Sequence, residues 1–247
     1  MTASGVAGTV DGMAGSQVLG RAGASWDEGP TAGAWVGPRL GEFGQSVGHA
    51  VPHGYDAYAV VPLRPHPDHA EHPDHLEDPH TALARVLDVL APATGDQPVH
   101  CGLWEGWGFL YDHGADPRDA PGMGALVGWG VGEPRPGADE LERARAAARE
   151  AMAAQRLERP AAEPLHLPHR AYHLWTGPLR AALALAGVHG DPPSLVWPED
   201  RTWFVGVPIY TREIAVGGPS HVVDALLADP ALGARRAAPD DLLDVDD

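Results

Sequence analysis

The sequence predicts an α+β fold: a single main domain with a mostly antiparallel sheet and helices packed on one face. Three observations carry this. Strand-like and helix-like segments follow one another without a regular βαβ rhythm, so a doubly wound parallel sheet is not expected. Several extended segments are separated only by turn-length spacers, which favours hairpin connections. The third observation is compositional. The chain has no Lys, no Asn and only two Ile, Ile209 and Ile214, as a GC-rich coding sequence would give. Both Ile fall in residues 193–227, PSLVWPEDRTWFVGVPIYTREIAVGGPSHVVDALL, beside Trp197, Trp203, Phe204 and Tyr210. That block reads as strands over 201–207 and 209–216, with Pro208 at their junction or at an edge. A turn at Gly217-Gly218 and a helix over 221–227, capped by Ser220, complete it.

The other elements follow in chain order. Residues 1–30 are Gly- and Ala-rich without a period and read as a flexible leader. In 35–51, Trp35, Leu40, Phe43 and Val47 recur at roughly helical spacing around Pro38. Residues 55–63, YDAYAVVPL, alternate as a strand does. A His/Pro-rich loop occupies 64–80. Beyond it, Leu83, Val86, Leu87 and Leu90 share one face of a helix over 81–90, with Pro79 just before it. Residues 98–111, PVHCGLWEGWGFLY, read as a hairpin turning at Glu105-Gly106. Residues 114–137 read as loop, and 139–159 as an Ala-rich helix stopped by Pro160. Residues 165–175 are extended, and 178–186 form a helix capped by Thr176 and ended by Gly187. The main domain thus spans 31–237, and 238–247 form an acidic, solvated tail.

Bulk properties narrow the function classes. At 247 residues with a net charge of −17 and no run of basic residues, the chain lacks the footprint of a nucleic-acid binder. Anionic membrane surfaces are disfavoured for the same reason. No apolar run approaches the roughly 18 residues of a membrane span, and the start lacks signal-peptide features, so a cytoplasmic location is expected. The single cysteine, Cys101, allows no internal disulfide and reads as a core thiol. His100 beside it makes no nucleophile pair, because neighbours in a strand point to opposite faces.

Four features could carry chemistry. His66, His69, His72, His75 and His80, among Asp68, Asp74 and Asp78, are possible metal ligands. However, Pro67 and Pro73 deny them a helix or a strand, so the tract reads as a solvated loop and no metal site is expected. The Gly-rich stretches lack the strand and GK[ST] ending of a phosphate loop, so no cofactor is expected. Trp104, Glu105 and Trp107 surround one turn, and Trp197, Asp200, Arg201 and Trp203 surround another. Such Trp-bearing loops could line a groove for a protein partner or a small molecule, or simply plug the sheet ends. Finally, Glu105 with Asp200 or Glu199 could form a carboxylate pair for acid/base work if the fold brings them together.

The motifs VPHGYDAYAVV, CGLWEGWG, LPHRAYHLWTGPL and WPEDRTWFVGVPIYTREIAVGG, in that order, resemble a family of uncharacterised actinobacterial proteins. The resemblance covers residues 35–240. It implies no assigned activity and carries over no catalytic residue. The leading expectation is therefore a non-catalytic, cytoplasmic domain that binds a protein or small ligand through its Trp-bearing loops. The alternative is a hydrolase-like enzyme using Glu105, Asp200 and His169 or His173, with Arg201 as an anion anchor. A metal-binding protein using the His tract is a second alternative. Oligomeric state is not legible.

Overall fold

The structure, a computed structural model, describes residues 15–65, 76–110, 137–154, 157, 160–186, 191–209 and 211–245. The His66–His75 part of the His tract and most of the loop expected over 114–137 lie outside the described residues. The chain divides into two compact units, residues 1–17 with 106–159, and residues 18–105 with 160–247. The smaller one departs from the single span expected over 31–237. Its described part comprises helix α4 (Ala138–Ala154), a 3-10 turn at Gly108–Leu110, and Leu157, whose N–H donates to Phe109 O at 3.1 Å.

The larger unit holds one antiparallel sheet of nine strands. These are β1 (Ser25–Trp26), β2 (Ala57–Pro62), β3 (Val99–Trp104), β4 (Leu165–Leu167) and β5 (Arg170–Gly177). They are joined by β6 (Leu195–Pro198), β7 (Phe204–Gly206), β8 (Glu213–Gly218) and β9 (Arg235–Ala237). The order is β1-β5-β3-β6-β7-β8-β2-β9, with β4 pairing on the same edge of β5 as β1. Its helices are α2 (Val47–Ala50), α3 (Pro79–Thr94) and α5 (Ser220–Ala228), and α1 (Gly15–Ala22) runs up to β1. The α+β class and the antiparallel sheet are as the sequence predicts.

Alternation along the strands sorts the core into two layers. One face carries Cys101, Leu103, Trp175, Val196, Val205 and Val216, and meets α3, α5 and a 3-10 turn at Leu179–Leu183. Trp203 Nε1 donates to Thr94 Oγ1 of α3 at 3.2 Å, and Trp175 Nε1 donates to Ala181 O at 3.3 Å. The other face carries His100, Trp104, Tyr172, Leu195, Trp197 and Phe204. It is covered by the irregular segment 32–55 and by Leu243. Glycines in the strands let that segment lie close. A Cβ on Gly206 would sit 2.3 Å from Ala50 O, and one on Gly217 would sit 2.7 Å from Tyr55 and Val51.

Several local expectations are corrected. Gly217-Gly218 is not a turn but the buried end of β8, and α5 begins one residue earlier than expected, with Ser220 as its first residue and Pro219 at the cap position. Residues 98–111 form no hairpin: β3 ends at Trp104 and pairs with β5 and β6. The block at 193–227 holds three strands, because Leu195–Pro198 adds β6. Residues 165–175 turn at Pro168-His169 to give β4 and β5. Thr176 caps no helix, and a 3-10 turn at Leu179–Leu183 takes the place of most of the helix expected over 178–186, whose end at Gly187 lies outside the described residues. The end of the expected leader is structured, since α1 and β1 lie within 15–26. The expected solvated tail is docked as far as residue 245. Leu243 is buried, its N–H donates to Gln45 O at 2.8 Å, and Asp244 N–H donates to Glu213 Oε2 at 2.9 Å.

Candidate functional site

Of the residues expected to form Trp-bearing lips, two are core. Trp197 is 1 % exposed and Trp203 fully buried, so neither can reach a partner. The reason is register: Trp197 pairs across from His100 and stacks on it at 5.5 Å, and on Phe204 at 5.6 Å. Trp107 belongs to the smaller unit, where it stacks on Phe109 at 6.1 Å. Trp104 is half-buried in the larger unit, and Asp200 and Arg201 are exposed.

The expected carboxylate pair does not form. Glu105 follows the last residue of β3, and its N–H donates to Ala171 O at 2.8 Å. Asp200 follows Pro198, which pairs with the first residue of β3. The two therefore sit at opposite ends of a six-residue strand, about 17 Å apart at ~3.3 Å per residue. His173 is buried on the helix-covered face against Trp26, while His169 sits exposed in the β4–β5 turn. These four residues share no site, and the hydrolase arrangement is not built.

Glu199 does find a partner. His100 Nε2 lies 2.7 Å from Glu199 Oε2, and His100 Nδ1 lies 2.8 Å from Thr176 Oγ1. The Thr176 hydroxyl in turn donates to Asp27 Oδ1 at 2.7 Å. The imidazole tautomer decides which of its two contacts His100 donates to. Burial pushes the Asp27 carboxyl above the usual carboxylate range, and the Glu199 charge adds to this, against the Thr176 hydrogen bond and His100. Both ends of the relay are closed by carboxylates, which leaves Thr176 committed rather than poised to attack.

A pH dependence follows. A carboxyl whose native value is raised contributes stability that is complete below its unfolded value, about 3.9, and is lost as pH rises through the native value. Asp27→Asn removes that titration and keeps a hydrogen-bonding group beside Thr176. Urea denaturation between about pH 4 and 7 should show the parent losing stability relative to the variant as pH rises. Parallel curves would rule out a raised value for the Asp27 carboxyl.

The open site on this face is elsewhere. Arg170 begins β5, with its guanidinium carbon 5.7 Å from the Phe43 ring centre and 5.8 Å from that of Trp104. Phe43 is 48 % exposed and packs against His49 at 4.9 Å and His169 at 4.6 Å. Phe43, His49 and Arg170 border an open cavity of about 450 Å³, walled also by Pro208, Ile209, Leu242, Leu243 and Val245, with Gln45, Gly44 and Thr211. Among the described residues no Asp or Glu lines it. Burial, then the charges of Arg170 and His169, hold His49 below its ordinary range, so the neutral ring is favoured. Among the described residues no carboxylate pairs with Arg170.

Of this site, the sequence reading reached only Trp104, and His169 in another role. Phe43, His49 and Arg170 were legible at most through scarcity, since Phe43 is one of three Phe in the chain. Among the described residues no group of three or more His, Cys, Asp or Glu is placed to hold a metal ion, and no helix is long and apolar enough to cross a membrane. The chain matches no protein-family model, no curated protein and no solved structure.

Proposed function

We propose that the protein is a cytoplasmic binding domain that holds a small organic anion in the Phe43–Arg170 groove without transforming it. The supporting observation is the state of Arg170: a cation gripped between two aromatic rings at an open cavity, with no carboxylate partner and no acid in the cavity wall among the described residues. In a chain with twice as many acids as bases, an arginine with no carboxylate partner among the described residues keeps its attraction for an anionic ligand. The mostly apolar wall suits a ligand with an apolar body and one carboxylate. The volume falls within the range of small-molecule sites, roughly 300–1,000 Å³. Of the loops expected to bind, only the Trp104 end contributes, and it does so by holding the arginine.

Benzoate and its neutral analogue benzamide test the reading. Amide chemical-shift titration should show saturable benzoate binding at residues around Phe43 and Arg170, and little response to benzamide. Arg170→Gln should weaken benzoate about tenfold or more, since a charge-assisted hydrogen bond contributes roughly 1.5–3 kcal/mol. Equal responses to the two probes, or unchanged affinity in the variant, would defeat the proposal.

A further inference from the structure

We infer that Arg39 and Arg201 form a second anion site over Trp35, suited to the phosphate group of a small molecule. The inference starts from the turn between β6 and β7. Arg201 adopts φ of 59°, one of two described non-glycine residues in the left-handed region. A side chain there is unfavourable unless the surroundings impose it. Here they do: Arg201 N–H donates to Pro198 O at 2.9 Å, Thr202 N–H donates to Asp200 Oδ1 at 2.9 Å, and Tyr55 Oη donates to Arg201 O at 3.2 Å.

The turn contains two acids, and both are used elsewhere. Glu199 is held by His100. Asp200 accepts from Thr202 N–H and from Gln97 Nε2 at 3.1 Å, while Gln97 Oε1 receives Asp200 N–H at 2.9 Å. Burial opposes the Asp200 charge, but these hydrogen bonds outweigh it and hold the carboxyl below its ordinary range. The acids nearest Arg201 in sequence are thus turned away from it.

The freed guanidinium lies 5.1 Å from the centre of the Trp35 ring, and Arg39 lies 5.6 Å from the same centre. Among the described residues neither arginine pairs with a carboxylate. Two like charges on one ring repel each other unless an anion joins them. The ring itself is fixed by edge contacts with Trp197 at 6.1 Å and Phe204 at 5.9 Å. Its Nε1 is buried without an acceptor, so the cluster is rich in donors and poor in acceptors. Two guanidinium forks on a fixed platform match a tetrahedral oxyanion, each offering paired N–H donors to paired oxygens. Convergence on a single ring favours one compact dianion over an extended acidic peptide.

Arg201 lies at the His100 end of the sheet face and Arg170 at the Trp104 end, so the sites are separable. Calorimetric titration with inorganic phosphate and with phenyl phosphate, at fixed ionic strength with chloride as the balancing anion, should give saturable 1:1 binding. Arg39→Gln and Arg201→Gly should each weaken it at least tenfold. Glycine suits the left-handed position, so the second variant keeps the turn. Arg170→Gln should leave phosphate binding unchanged, which separates this site from the groove. Absence of saturable binding would overturn the inference, as would affinity unchanged in both arginine variants. Equal displacement by chloride, or preference for an acidic peptide over phosphate, would do the same.

Discussion

Trp197→Ala is expected to lower the free energy of unfolding by about 3–5 kcal/mol, the range for truncating a large buried aromatic. Trp197 is the middle member of a stack that runs from His100 to Phe204 across β3, β6 and β7, and Trp35 meets it edge-on. Removing the indole therefore opens a cavity bordered by three rings, none of which can collapse inward without leaving its strand register or the segment above it. Urea denaturation would measure the loss as a lower midpoint at unchanged slope. Trp197→Phe should recover part of it, because a ring still fills the stack. A loss below about 1 kcal/mol, the size of an ordinary surface substitution or less, would show that the stack is not the centre of this core.

Gly206→Ala should cost about 2–3 kcal/mol, the upper part of the usual range for overpacking. The added methyl would lie 2.3 Å from Ala50 O and 2.9 Å from Ala50 C, both backbone atoms of α2. A flexible side chain could swing aside, whereas a backbone carbonyl on a sheet face cannot do so without shifting the whole covering segment. Gly29→Ala is the control, since a Cβ there meets nothing within 4 Å. For a protein of this size a loss of 1 kcal/mol lowers Tm by about 2–4 °C, so Gly206→Ala should melt roughly 4–12 °C lower and the control within about 2 °C. Similar melting temperatures for all three proteins would mean that α2 does not lie against β7 as described.

The two glycine strands also show what the sequence could and could not reveal. Leu83, Val86, Leu87 and Leu90 announced α3 because a helix is a local structure whose buried face repeats within one segment. The alternation of 55–63 announced β2 for the same reason. Gly217-Gly218 looked like a turn because glycine is the usual turn residue. The actual requirement at Gly217 comes from Tyr55 and Val51, far away in the chain. Asp27 sat in what looked like a leader, yet β1 pairs with β5 and brings Asp27 to Thr176. Trp197 and Trp203 attracted attention as rare residues at a lip, and both proved to be core. Arg201, read as an anion anchor, is indeed exposed, but its platform is Trp35 rather than the tryptophans beside it. Cation–π pairs between distant residues leave no spacing in the sequence, so Arg170 with Phe43, and Arg39 with Trp35, could not be read from it.

The strand order has a consequence for how the chain folds. β4–β5 and β6–β7–β8 join neighbours in sequence and close short loops, so they can form early. β2, by contrast, is made early in the chain but is flanked by β8 and β9, which come near its end. Until those last strands exist, β2 has no sheet partner, and its buried run AYAVVP has nowhere to go. A polypeptide emerging from the ribosome must carry that sticky strand unpaired until residues 213–218 have been made. Contacts between remote parts of the chain also slow folding. The acidic surplus of the chain opposes pairing between exposed β2 segments, because like-charged chains repel one another.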